Sequence, residues 1–461
     1  MTREIIIKEL REYFYSTKFV VTFLLSSLLL LVSMYVGIGK YLEEEMEYNS
    51  AQFLESEMIE SQPDPSSLAL YGFKVYKPPQ ILSIFVDGVK DAVGRYAEIK
   101  SNNDPRMLDS TFNSKPLRSI FGNFDLILVA KFLLSLTAIL FTYNAISGEK
   151  ERGTLKAIVS NHIPRYSIIC GKILGGFLSL IIPLMIPLII GLIVLSFNSN
   201  TILSGEEWVR SALIIVAILA YVTVFYLLGI FISSLTRSSI ESLFILILIW
   251  IVFIFIIPQG SVIVAEKTVP TRSVFALNSL KQGIVQEKRA LREELMRKWI
   301  DENKPVYMDD LNNYAREVGQ KISNDINTRF IEIDRDHWMN KRKQQTVIRI
   351  ISRFSPSSAL QFSTMSFART GIVEQERFQT HVSEYKKNFE AWAKEKQQYV
   401  YSDPVRKKEK QDFSDMPKFD YTPESLGESV VRALPDIATM ILMILFLTIG
   451  SVYAVNRYDV R

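Results

Sequence analysis

Apolar residues gather into six blocks, at residues 18–39, 125–147, 168–197, 209–234, 240–258 and 433–455, with polar stretches between them. Each block is about 20 or more residues long, the length a helix needs to cross roughly 30 Å of hydrocarbon. The pattern predicts an all-α polytopic membrane protein with six transmembrane helices. The first block is longer than the apolar core of a signal peptide, and KYLEEEME stands where a small-residue cleavage site belongs, so it reads as an uncleaved helix.

Two polar stretches are long enough to fold outside the bilayer, residues 40–124 and 259–432. In the larger one, apolar residues recur at steps of three and four. Leu291, Leu295 and Trp299 form one stripe; Leu311, Tyr314, Val318, Ile322, Ile326, Phe330 and Ile333 form a second; Phe378, Val382, Tyr385, Phe389 and Trp392 form a third with coiled-coil-like spacing. These stripes predict a mostly helical external stalk, in which a helix of about 30 residues reaches about 45 Å. The aromatic stripe reads as the bundle's own core in preference to a ligand surface. Ser352–Gly371, rich in small residues and aromatics, is expected to return to the membrane interface. The smaller segment is mixed. It opens with a helical extension, YLEEEMEYNSAQFLESEM, and turns irregular around Pro63, Pro65, Pro78 and Pro79; Gln80–Ile99 fits a strand or a helix.

Orientation follows from the basic residues of the short loops. Arg3, Lys8, Arg11 and Lys18 precede the first span; Lys150, Arg152, Lys156 and Arg165 fill the connector between the second and third; Arg237 follows the fourth; Arg457 and Arg461 end the chain. Six crossings put all of them on one side. Both termini and the connector are therefore expected in the cytoplasm, with residues 40–124 and 259–432 outside. A five-span arrangement would strand Arg457 and Arg461.

A net charge of +4 over 461 residues gives no case for a nucleic-acid partner. The single cysteine, Cys170, rules out an intrachain disulfide and reads as a helix-packing residue. Catalytic constellations are lacking: His162, His337 and His381 are scattered, so no metal site is expected, and no G-x-x-x-x-G-K-[ST] phosphate loop is present. Asp125 and Lys131 are the candidate intramembrane polar groups. Their spacing of six places them on different helix faces, and Lys131 can snorkel outward, which favours interface anchoring over an ion or substrate role. So few buried charges leave little basis for an ion-coupled pump, and energy must come from elsewhere.

The connector GEKERGTLKAIVSNHIPRYSIICGK, Gly148–Lys172, is the remaining candidate. Gly153 breaks the descending helix, Thr154 can start a new one, and LKAIVS gives one or two turns with Leu155, Ile158 and Val159 on an apolar side before Asn161 and Pro164 stop it. A short helix with a charged rim and an exposed apolar edge suits a groove on a soluble partner.

ISGEKERGTLKAIVSNHIPRYSIICGK resembles the E-x-E-x-G-T-L … P-x … G-K signature of ABC-2 type permeases, the membrane subunits of certain ATP-binding-cassette transporters. EIIIKELREYFYSTKF within residues 1–17 and the start of the first span is similar to that family's N-terminal cytoplasmic amphipathic helix, and LLGIFISSLTRSS to its fourth-span ending. SRFSPSSALQFSTMSFARTG and NRYDVR resemble a subgroup with large external insertions, related to gliding-motility and nitrous-oxide-reductase maturation permeases. The resemblance implies that residues 148–167 form a coupling helix docked on an ATPase subunit. Glu149, Glu151, Gly153, Thr154 and Leu155 would contact or shape that contact, and Pro164 and Arg165 would set the return into the third span. It also implies a second permease subunit, with ATP and Mg on the partner ATPase and no cofactor on this chain. Gly171 and Gly175 permit close helix approach. The expected localisation is a bacterial or archaeal cytoplasmic membrane, and the expected role is substrate export or mechanical work on an envelope partner through the external stalk. A membrane-anchored sensor or scaffold is the rival, which a neighbouring kinase or regulator gene in place of an ATPase gene would favour.

Overall fold

A computed structural model describes residues 2–100, 107–108, 124–155, 164–197, 203–303, 308–401 and 413–457. Among these, six helices are long and apolar enough to cross a membrane: α2 (Thr17–Ser61), α4 (Leu126–Glu151), α5 (Arg165–Phe197), α6 (Gly205–Leu235), α7 (Ser239–Thr268) and α12 (Leu426–Asn456). The chain is a multi-pass membrane protein. It divides into two compact units, Met1–Ile254 with Ser355–Arg461, and Phe255–Phe354.

In the first unit the helix bundle is centred on α6. Of its most apolar stretch 67% is buried, against 17% for α7 and α12, so α6 forms the bundle core while the other two present wide apolar faces suited to lipid. Two stretches of π-helix interrupt the spans, Ala130–Leu134 in α4 and Val252–Ile256 in α7. Such turns release backbone carbonyls that need other partners. Tyr221 of α6 donates to Lys131 O at 2.7 Å, and the hydroxyls of Ser355 and Ser357 both donate to Phe253 O. Ser357 stands in the first turn of the helix α10 (Pro356–Ala368), whose small residues allow it to be buried against α6 and α12. The Ser352–Gly371 stretch, expected at the membrane interface, is thus mostly a part of the bundle interior.

Beyond its apolar run α2 continues as a polar helix, followed by α3 (Pro65–Tyr71) and a small antiparallel sheet, β1 (Phe73–Tyr76), β2 (Tyr96–Ile99) and β3 (Met107–Leu108), in that order. Phe73 pairs with Ile99 and Tyr76 with Tyr96. Gln80–Ile99 is neither one strand nor one helix: a 3₁₀ turn at Ile81–Ile84 leads through further turns into β2. The helix α11 (Ile372–Tyr401) carries the third aromatic stripe. That stripe covers the sheet: Phe378, Val382, Tyr385, Phe389 and Trp392 share a buried core with Leu68, Phe73, Val75, Ala97 and Ile99. This corrects the expectation that all three stripes build one helical bundle. A stripe at four-three spacing fits any flat apolar partner, and the inward positions of β1 and β2 supply one.

The second unit contains α8 (Val274–Asn303) and α9 (Met308–Ser352) together with the Ile257–Thr268 part of α7. Lys281 pairs with Asp334 at 2.5 Å, Lys288 with Asp325 at 2.6 Å, and Trp299 stacks on Tyr314 at 5.0 Å. Partners ascend on α8 as they descend on α9, so the two form an antiparallel hairpin. With 45 residues, α9 is roughly 67 Å long.

Candidate functional site

The end of α4 is where the sequence-predicted connector residues converge. Gly153 adopts φ 71°, a left-handed conformation that ends the helix and that a residue with a Cβ adopts only with strain. The three residues Glu149, Lys150 and Glu151, all within the last turn, point in three directions. The Glu149 carboxylate turns inward, and Lys172 of α5 donates to it at 2.8 Å and to Glu9 of α1 (Thr2–Phe14) at 2.8 Å. Lys150 donates to the carbonyls of Ser234 and Thr236, at the C-terminus of α6, where a cation complements the helix dipole. Glu151 accepts from the hydroxyl of Ser239, the first residue of α7, at 2.6 Å. Just before them, Ser233 of α6 accepts from the backbone N–H groups of Ile146 and Ser147 at 3.0 and 2.9 Å. One helical turn is therefore fastened directly to α5, α6 and α7, and through Lys172 to α1.

Glu9 reaches this point because α1 packs closely on α5. The half-buried and buried residues of α1 follow helical spacing, Ile5, Ile6, Glu9, Leu10 and Tyr13. A Cβ placed on Gly171 would lie 2.6 Å from Ile5 Cγ2, and one on Gly175 would lie 2.9 Å from Glu9 Cβ. These two glycines face α1 and set its distance. Tyr13 donates to Phe141 O at 3.0 Å and Tyr226 to Lys172 O at 3.0 Å, which closes the surroundings of the ion triad. Glu9, Glu149 and Lys172 are each less than 10% exposed. In such surroundings loss of one member leaves the others without compensation, at a cost of about 3–5 kcal/mol.

The elbow thus has an inner and an outer side. Glu151, Arg152, Gly153, Thr154 and Pro164 are exposed, as is Tyr166 at the start of α5. Glu149 and Leu155 are not: the carboxylate belongs to the triad, and Leu155, 2% exposed, belongs to the apolar core of the bundle. The resemblance has both contact or shape the surface met by a soluble partner; with their side chains buried, shaping it is the part left to them. The physical reason is that Lys172 and Glu9 lie inside and hold Glu149 there. Ile158, Val159, Asn161 and His162 lie outside the described residues, as does the side chain of Arg165.

The family model for ABC-2 family transporter proteins matches residues 3–453. The chain belongs to that family. No curated protein sequence matches it. It is the permease component of an ABC transporter, in a family that is generally the non-catalytic membrane subunit.

Elsewhere in the permease, Asp125 and Lys131 have separate duties. Asp125 caps α4, accepting from Leu128 N at 2.8 Å and from Asp87 N at 3.1 Å. Lys131 reaches Gln361 of α10 at 3.4 Å. Sequence reasoning missed two charges that the permease uses more fully. Glu9 is one. Arg210, completely buried, is the other: it bonds Glu206 and donates to Phe367 O, Ser429 Oγ and Glu424 O, at 2.8–3.0 Å, tying α6 to the end of α10 and the start of α12. An arginine inside an apolar block, four residues after a glutamate, was the available signal.

Proposed function

We propose that this permease receives the motion of a separate ATPase subunit at the elbow and passes it to α1, α5, α6 and α7. The observation that carries the reading is the two-sided construction of the elbow. Its outer residues, Glu151–Thr154 and Pro164, are exposed and open to a protein partner. Its bonds to the bundle, through Ser147, Glu149, Lys150 and Glu151, end on α5, α6 and α7, and Lys172 carries them on to Glu9 of α1. A displacement of the outer side then strains buried charge pairs unless the four helices move with it, and strain of that kind is costly. ATP and Mg sit on the partner, and this chain holds no cofactor.

Basic residues support the orientation. Lys8, Arg11, Lys18, Lys150, Arg152 and Arg237 belong to α1, the first turn of α2, the elbow and the α6–α7 turn, and Arg457 follows α12 near the same end, where Gly450 lies against Phe231. That end is cytoplasmic by the positive-inside rule, in the cytoplasmic membrane of a bacterium or archaeon. The sheet domain and the α8–α9 hairpin then lie outside. A second permease subunit, identical or related, completes the pathway. The output is substrate export, or mechanical work on an envelope partner met by the hairpin.

The test separates the two sides of the elbow. With the ATPase subunit co-expressed, Glu151→Arg and Thr154→Arg are expected to lose the subunit on purification. Glu149→Gln is expected to keep the subunit while lowering the hydrolysis that the permease stimulates. Retention of the subunit and of full hydrolysis in Glu151→Arg would defeat the reading.

A further inference from the structure

Past the apolar run, α2 forms one wall of a cavity of about 480 Å³, whose other walls come from the β1–β2 region and from the turn between α10 and α11. That volume lies within the range of about 300–1,000 Å³ typical of small-molecule sites. Five basic side chains line it against two acidic ones. Most of the positive charge is already answered: Lys90 pairs with Glu44 at 3.0 Å and Asp87 at 2.9 Å, Arg95 with Glu47 at 2.7 Å, and Arg369 with Glu206 at 2.6 Å. Lys77 is different. Its ammonium is bonded to the neutral amide oxygen of Gln375 at 3.0 Å, and that amide is oriented by its own donation to Gly94 O at 3.1 Å. No carboxylate lies within ion-pair distance of Lys77 among the described residues. Burial pushes its pKa down to about 8, with only the more distant Glu374 acting the other way.

A second polar group in the wall is also unanswered. Thr370 is 4% exposed, lines the cavity, and its hydroxyl has no hydrogen-bond partner among the described residues. Buried polar groups are nearly always partnered, so an orphan hydroxyl and an uncompensated ammonium in the walls of one cavity mark a place where something else supplies acceptors. Tyr48, Tyr76, Tyr96, Pro78 and Pro79 furnish flat apolar surface around them.

We propose that this cavity binds a single oxyanion, a phosphodiester or a carboxylate, carried on a small organic body that packs against the tyrosine and proline walls, with Lys77 and Thr370 as its donors. The inference is independent of how the elbow works. Glu44, in the α2 wall, is five residues beyond the apolar run ending at residue 39, about 8 Å along the helix axis. An anionic lipid headgroup and a free soluble anion are both within reach at that height.

Calorimetric titration of the full-length chain in non-ionic detergent at pH 7 tests the site. Dihexanoyl phosphatidylglycerol is the lipid probe, glycerophosphoglycerol the soluble probe with the same phosphodiester, and dihexanoyl phosphatidylcholine the probe without net charge. One or both of the first two are expected to bind at one per chain, more tightly than the third. Binding of the lipid alone assigns the site to a headgroup; binding of both assigns it to the phosphodiester itself. Lys77→Gln is expected to weaken binding roughly tenfold or more. Thr370→Val should weaken it too, yet raise the melting temperature of the ligand-free protein by removing an orphan hydroxyl, opposite signs that a purely structural role does not produce. Absence of binding by both anionic probes, equal binding of the phosphatidylcholine, or unchanged affinity in Lys77→Gln would overturn the proposal. If Lys77→Gln does not fold, unchanged affinity in Thr370→Val overturns it.

Discussion

The elbow and the α8–α9 hairpin both rely on lysine–carboxylate pairs, and the pairs do different work in the two places. At the elbow, Lys172 is enclosed with Glu9 and Glu149, all nearly without solvent contact. Along the hairpin, Lys288 meets an Asp325 whose side chain is 45% exposed, and Lys281 meets Asp334 with 26% exposed. Where water competes, an ion pair contributes little and chiefly fixes register. Where water is excluded, the same pair forces its three helices into one geometry, because each charge would otherwise stand alone. Motion applied at the elbow is therefore shared among helices, while the hairpin holds its form by length and sparse packing, with Leu277, Lys288 and Val318 its buried residues outside the helix ends.

The strongest way to break this comparison is Lys172→Met, which leaves two carboxylates in a closed apolar space. A loss of about 3–5 kcal/mol is expected, seen as a large drop in the melting temperature of the purified protein. A drop no larger than that of a surface substitution would mean the triad is hydrated and does not constrain the helices.

Lys77 sharpens the contrast from another side, as a buried lysine next to an amide and without a bonded carboxylate. Its pKa near 8 lies below the ordinary lysine value of 10.5. The folded protein therefore binds fewer protons than the unfolded chain between those values, and stability rises as pH climbs from about 8 toward 10.5. The rise is at most about 3 kcal/mol and should be missing in Lys77→Met. Melting curves of the two proteins from pH 7 to 10.5 check this, and parallel curves would show that Lys77 keeps a normal pKa.

A smaller effect is expected where α1 meets α5. Gly171→Val adds methyl groups against Ile5 and should cost about 1–3 kcal/mol by overpacking. Because α1 carries Glu9, the substitution should also make α1 more open to protease; an unchanged digestion pattern would show that α1 is held by other contacts. The smallest effect belongs to the hairpin. Lys281→Gln with Lys288→Gln should leave the melting temperature unchanged within error at 0.15 M salt, and a marked fall would put these pairs in the same class as the triad.

The six spans were legible because long apolar blocks admit few alternatives. Gly153 was legible too, since a glycine after a charged turn has a local meaning. What escaped was non-local. Glu149 turns inward because of Lys172 and Glu9, and neither partner is adjacent to it in sequence. The strands FKVY and YAEI are four residues each, too short for a period-two pattern to stand out, so the aromatic stripe of α11 had no visible sheet to cover. The bond from Lys131 to Gln361 escaped as well, because Gln361 sits on a helix more than two hundred residues away.

The central claim is that movement at the elbow reaches α1 through Glu149, Lys172 and Glu9. Spin labels on Glu12→Cys in α1 and Arg457→Cys after α12, in a Cys170→Ala background of the permease bound to its ATPase subunit, report that movement as a distance. The account predicts that trapping the ATPase with ATP and vanadate shifts the distance in the otherwise native complex and leaves it unshifted when Glu149→Gln is added, with the subunit still bound. A distance indifferent to nucleotide, or a shift of the same size in Glu149→Gln, would contradict it.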